Sequence, residues 1–370
     1  MRACAYLGAV AGILAALGAA GAPAAAGESF ATMQVRSVPH RQIEISIEMT
    51  VARTRLVIVP AWAGRISLLD FGDGNVLWND PRVDGKVLPP GDAWAPWDGN
   101  ATDAVLAIGG ERQSQWRGLW LHPWKDIRLA PKGPVLAFAP GSAVGITFNR
   151  TYRPAPADGQ VPDRVEIASE TSPDVPLSAR KTYGLSVDGR SLTYEYTLTC
   201  RGGEPRPWSV CERALAPGGG YALLPVAKGG AFPDGWAARD GTRVDPPGLA
   251  APAGDFLAVR AGAAKPFGLA ARLRAGWIAN VRGASALLIT YPVPGDGKYP
   301  ACGGAHALVW VAGECLELEP LSAEVVLRPG ESTTFRQVWH NLALPADVKR
   351  DDPQAVGRWL EKRAAELAKR

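Results

Sequence analysis

The chain has 370 residues, 47% of them hydrophobic and 21% charged, a balance that belongs to folded proteins and excludes a disordered one. With 42 Gly and 32 Pro it is rich in turns, which suits many short strands better than long helices. The formal net charge is only +4, and the basic excess gathers in residues 349–370, so the concentrated basic face that a nucleic-acid binder needs is absent.

Residues 1–26 read as a signal peptide. Arg2 precedes an apolar stretch rich in Ala and Gly, and Ala24-Ala25-Ala26 offers an A-x-A cleavage site before Gly27. An uncleaved anchor competes, because the run is long enough to span. The small residues and the missing basic stop favour cleavage, which places the protein in a bacterial periplasm or outside the cell. No later segment is long and apolar enough to span a membrane.

Residues 27–348 read as one all-β domain. In "QIEISIEM" (42–49), Ile43, Ile45, Ile47 and Met49 alternate onto one face. Residues 54–80 hold two or three strands broken by Pro60 and by the Gly72-Asp73-Gly74 turn. Five of the 13 tryptophans follow, Trp94, Trp97, Trp116, Trp120 and Trp124, interspersed with Arg112, Arg117 and Asp98. Indoles suit the apolar faces of sugars, while Arg and Asp bond hydroxyls; the competing role for these rings is core packing. Asn100 and Asn149 head sequons. "YGLSVDGRSLTYEYTLTC" (183–200) is the clearest hairpin, with Asp188-Gly189 at its turn and Leu192, Tyr194, Tyr196 and Leu198 on one face.

Strands are again predicted at 306–311, 314–319, 323–327 and 332–342, the last two joined by the turn Arg328-Pro329-Gly330-Glu331. In the second of these, Glu317 and Glu319 alternate with Leu316 and Leu318, the pattern of a half-buried strand. In the last, Trp339 and His340 are out of phase, so one of them should face outward. Residues 349–370 read as a helix on the domain. Asp352 is placed to cap it, Pro353 to start it, and Val356, Trp359, Leu360, Ala364 and Leu367 form its apolar stripe.

After export Cys200, Cys211, Cys302 and Cys315 remain. They allow one or two disulfides with three possible connectivities, or four buried thiols, and their spacing does not suit zinc. No phosphate-binding glycine loop, nucleophile elbow or metal triad is present, so no cofactor and no metal is implied.

The order of three stretches resembles the galactose-mutarotase-like (aldose 1-epimerase-like) superfamily, and its uncharacterised secreted bacterial members most of all. These are "VIVPAWAGRISLLDFGDGNVLW", "VEIASETSP" leading into the 183–199 hairpin, and "CLELEPLSAEVVLRPGES". Together they cover most of residues 40–342. The resemblance implies a β-supersandwich that binds sugar. It also implies that Glu317, on the Cys-Leu-Glu strand, is the base that takes the anomeric proton. The acid in that superfamily is a histidine after the central hairpin. The stretch here, residues 199–215, has none; Cys211 or Glu212 stands near its place.

Mutarotation needs a base and an acid facing each other across the sugar. His122, among the tryptophans, is the candidate substitute acid, against a structural role beside Pro123. Arg112, Trp116, Trp120, Tyr299, His306 and Glu319 are the candidate sugar-binding residues. Glu317 and Glu319 are about 7 Å apart on one strand face. Glycosidase carboxylates flank the bond from different sides, so these two do not form such a pair. Three functions follow: an exported carbohydrate-binding protein, a sugar epimerase using Glu317 and a non-standard acid, or a non-catalytic structural or interaction module of the envelope.

Overall fold

The computed structural model describes residues 31–41, 43–60, 64–80, 99–108, 111–114, 126–130, 147–152, 164–168, 176–239, 249–299 and 301–369. In chain order the strands are β1 (Ala31–His40), β2 (Ile43–Val51), β3 (Thr54–Val59), β4 (Arg65–Asp70), β5 (Asn100–Ile108), β6 (Glu111–Ser114), β7 (Asp126–Ala130) and β8 (Thr147–Tyr152). Next come β9 (Arg164–Ala168), β10 (Leu177–Leu185), β11 (Ser191–Cys200), β12 (Arg206–Pro217), β13 (Tyr221–Pro225), β14 (Trp236–Ala238), β15 (Ala250–Ala253) and β16 (Phe256–Arg260). The remainder are β17 (Ala263–Ala271), β18 (Trp277–Arg282), β19 (Ser285–Thr290), β20 (Ala307–Gly313), β21 (Cys315–Pro320), β22 (Val325–Leu327), β23 (Ser332–Ala343) and the helix α1 (Pro353–Leu367).

They build three antiparallel sheets. Five strands run β4-β3-β2-β1-β8, ten run β15-β16-β13-β18-β19-β23-β11-β10-β9-β7, and eight run β14-β17-β20-β21-β12-β5-β6 with β22 beside β12; the last order reads as seven because β22 lies off its path. The inner faces share one core, in which Leu56 and Ile66 of the small sheet meet Tyr183, Tyr194 and Trp339 of the large one and Leu316 and Leu318 of the third. The predicted hairpin forms as β10 and β11, with Leu185 opposite Leu192 and Gly189 at φ 63°, the left-handed region that favours glycine.

Several expectations change. On β2 the polar side is buried too: Glu48 lies between Arg36 and Arg55, whose guanidiniums hold its carboxyl below the usual range against the upward push of burial. The turn at 328–331 joins the two strands as expected, and those strands belong to different sheets, β22 on β12 and β23 on β11, so it forms a corner. Trp339 and His340 are both buried, Trp339 in the core and His340 on the outer face. That outer face is covered by α1, whose Val356, Leu360 and Ala364 pack on Leu223, Phe256, Trp277 and Leu288. Asp352 caps the helix as expected, accepting from the amides of Gln354 (2.9 Å) and Ala355 (3.1 Å). No disulfide joins the four described cysteines.

Candidate functional site

The eight-stranded sheet has two unlike faces. Leu316 and Leu318 of β21 point into the core, and the alternation sends Glu317 and Glu319 to the other side. That side is not solvated: Glu317 is 2% exposed and Glu319 0%. A buried carboxylate needs counter-charge and donors, and the register across the sheet supplies them. One transverse row runs Arg239, Gly268, Trp310, Glu317 and Leu215, since the Arg239 amide bonds Gly268 O (2.9 Å), Gly268 pairs with Trp310, Trp310 with Glu317, and Glu317 with Leu215. In the next row Ala270 pairs with Leu308 and Leu308 with Glu319. The β12–β21 register carries that row on to Arg213.

Glu319 is bound on both oxygens. Arg239 Nη1 donates to Oε1 at 2.9 Å, while Cys211 Sγ lies 3.4 Å and Arg213 Nε 4.0 Å from Oε2. Arg239 starts three strand spacings from β21, about 14 Å at the usual separation, so its side chain must lie flat along the sheet. Its guanidinium carbon is 5.5 Å from the centre of the Trp310 ring, a cation–π arrangement. Gly268 leaves the room: a Cβ there would sit 2.7 Å from Trp310 Cε3 and 2.8 Å from Arg239 Cδ. Trp310 itself is half-buried. Glu317 lies close enough to Cys315 to help push that thiol's pKa up, behind burial and ahead of Asp80, so Asp80 borders the same region.

Arg213 and Cys211 share the Glu317 face of β12, whereas Glu212 turns inward. There it is 0% exposed and accepts from Asn100 Nδ2 at 2.8 Å. Asn100 in turn accepts from the Ile66 amide, so this sequon carries a buried structural side chain that no glycan can reach.

The predicted residues divide accordingly. Glu317 and Glu319 come together. His306 opens β20 in the row beyond Glu319, its carbonyl accepting from the Leu321 amide at 3.1 Å. It lies four residues from Trp310, about 13 Å along the strand. Its ring lies against Tyr299, tilted by 44° with centroids 4.4 Å apart, and its Nδ1 is 3.1 Å from both the amide and the carbonyl of Leu273. Burial, and then Arg272, lower its pKa against that backbone bond. Burial, and then Asp296, push the Tyr299 phenol up to about 12. Arg112 lies on β6 opposite Ala107, two strands from β12. Trp116, Trp120 and His122, with Trp94, Trp97 and Trp124, lie outside the described residues.

Arg213, Arg239 and Trp310 are the site residues missed from sequence. Arg213 carried a usable signal, the alternation Cys211-Arg213-Leu215. Arg239 had none, since its partner Glu319 is 80 residues away.

The sequence matches no family model and no curated protein. Solved structures do match. Slr1438 from Synechocystis sp. PCC 6803 superposes with a TM-score of 0.52 at 11% identity, covering 82% of this chain and 97% of that one. A galactose mutarotase-like protein from Lactobacillus casei ATCC 334 gives 0.46 at 11% identity over 80% and 100%. Galactose 1-epimerase from Lactobacillus acidophilus NCFM gives 0.45 at 11% over 85% and 99%. At such identities the likeness concerns the fold alone: this chain shares the fold of Slr1438, built here from three antiparallel sheets.

Proposed function

We propose that the protein is an exported carbohydrate-binding protein whose sugar site is the acid face of β21, with Glu317 accepting a sugar hydroxyl. The observation that carries this is the row Trp310–Glu317 beside Arg213: a half-buried indole next to a buried carboxylate, flanked by a fixed guanidinium. Aromatic surface with a few convergent polar groups is the make-up of sugar sites. The β12 neighbour of the acids supports binding over catalysis. Arg213 stays charged at all relevant pH and cannot hand a proton to a ring oxygen.

Calorimetric titration with a panel of mono- and oligosaccharides tests this. At least one sugar is expected to bind, and Glu317→Gln should weaken it about tenfold, the value of one charge-assisted hydrogen bond. No affinity for any of them overturns the proposal.

A sugar epimerase using Glu317 as base is the second reading, favoured by the burial of that carboxylate on the Cys-Leu-Glu strand. His122 would be its acid, since His306 stands about 13 Å along the strand. Polarimetry on fresh α-galactose and α-glucose decides: acceleration that disappears in Glu317→Gln would establish it.

A further inference from the structure

We propose that Arg239 is the positioning residue of the sugar site. Stacked on Trp310 and anchored on Glu319, it holds the indole in place and leaves one ring face for the ligand. This rests on the sugar-site reading above and deepens it by naming what fixes the aromatic surface. Large rings in this fold are mostly held by apolar packing: Trp236 packs against the core and Trp359 against the α1 cluster. Among the described residues Trp310 joins none of the three apolar clusters. What stands over its ring is the Arg239 guanidinium, with its carbon 5.5 Å from the centre. That guanidinium is not free to swing away, because Nη1 donates to Glu319 Oε1 at 2.9 Å, and Glu319 is 0% exposed. One edge of the group is tied to the carboxylate, and its plane lies against the ring. An aromatic surface ordered before the ligand arrives does not lose rotamer freedom when the ligand binds.

Gly268 is the floor of this contact. Its φ is not in the left-handed region, so its backbone does not call for glycine; the space does. A Cβ there would stand 2.7 Å from Trp310 Cε3, 2.8 Å from Arg239 Cδ and 3.0 Å from Arg239 Cβ. The indole and the arginine stem therefore meet directly above this residue, and an alanine must displace one of them. In the transverse row Gly268 and Glu317 lie on opposite flanks of Trp310. A sugar whose hydroxyl is held by Glu317 thus reaches the indole on the face that Arg239 leaves open.

The test uses the full chain labelled with fluorotryptophan, in which Trp310→Phe identifies the fluorine resonance of Trp310. Arg239→Lys keeps a positive charge for Glu319 but loses the flat guanidinium, and the two side chains are not interchangeable at a stacked position. Gly268→Ala keeps the guanidinium but fills the floor beneath it. Both variants should shift the Trp310 resonance in the ligand-free protein. Both should also weaken, about fivefold by calorimetry, whichever of galactose, glucose and their methyl glycosides the wild type binds. A residue that served only as an ion-pair partner of Glu319 would be replaced by lysine with neither change. Arg239→Lys with an unmoved Trp310 resonance, or with wild-type sugar affinity, would therefore overturn the positioning role while leaving the sugar site intact. That variant decides the matter even if Gly268→Ala does not fold. No binding of these sugars, nor of the wider panel, to the wild type would instead remove the sugar site and this inference with it.

Discussion

The ten-stranded and eight-stranded sheets share one core, and each must also cover an outer face. They do so with different chemistry. On the large sheet, α1 lays Val356, Leu360 and Ala364 on Phe256, Trp277 and Leu288. On the other sheet the cover near β21 is mixed: an ionic part, Glu319, Arg239 and Arg213 with Glu317, adjoins an apolar cluster of Cys211, Phe232, Tyr299, Leu308 and Leu321. Both covers depend on a glycine for close approach. A Cβ at Gly357 would meet the Phe256 ring at 2.6 Å, and one at Gly268 would meet Trp310 at 2.7 Å. The difference lies in what burial yields. Apolar surface gains free energy when water leaves it. Two charges taken from water lose hydration that their attraction repays only in part. A polar cover therefore stabilises poorly for the area it occupies, and its value has to lie in what it can hold.

The comparison can be broken first on the apolar side. Leu360 is fully buried under the large sheet. Leu360→Ala should cost about 3 kcal/mol, combining the lost transfer free energy with the cavity left behind. Urea unfolding measures it, and a loss well under 1 kcal/mol would mean that α1 is not the sheet's cover.

A smaller effect comes from a titratable histidine buried on that same outer face. His340 is 8% exposed, and burial, opposed by Asp188 and aided by Arg363, brings its pKa down to about 4. Above pH 6.5 the imidazole is neutral in both folded and unfolded chains. As pH falls below that, the unfolded chain takes up a proton that the folded chain refuses. Stability therefore drops between pH 6.5 and 4 and levels off below. The loss should be on the order of 2 kcal/mol, and His340→Leu should flatten that part of the pH–stability curve. An unchanged slope in the variant would show that His340 is solvated in the folded protein.

How far these two covers can be read from sequence differs for the same reason. The helix is local: Asp352, Pro353 and the stripe from Val356 to Leu367 lie within 16 residues, so cap and apolar face appear together. The Asp188-Gly189 hairpin is local in the same sense. The acid face is not. Alternation separates Glu317 and Glu319 from Leu316 and Leu318, but alternation reports only that two faces differ, not whether water reaches either one. Both faces of β21 are buried, and the partner that matches Glu319 on the acid face, Arg239, lies 80 residues away and crosses Gly268 to reach it. Likewise 323–342 reads as strand, turn, strand, yet which sheet each strand joins depends on β12 and β11, more than a hundred residues earlier.

The smallest expected change sharpens the comparison most. Arg239→Met alone takes from Glu319 its 2.9 Å partner and leaves Arg213 at 4.0 Å, and Glu319→Gln alone takes from Arg239 its carboxylate, so each single change weakens the charge matching around a buried group. Made together they leave two neutral side chains of similar volume, with the Gln amide oxygen still within reach of Cys211 and facing Arg213. Exchanges of buried ion pairs for neutral groups tend to be neutral or stabilising, so the double variant should unfold within about 1 kcal/mol of wild type. Denaturant unfolding of the two singles and the double forms a cycle whose coupling term isolates the pair. No second substitution can restore Leu360→Ala in this way, because there the lost quantity is buried area itself. If the double variant instead remained as unstable as its worse parent, the ionic cover would be a source of stability after all, and the reason for assigning that face to a ligand would weaken with it.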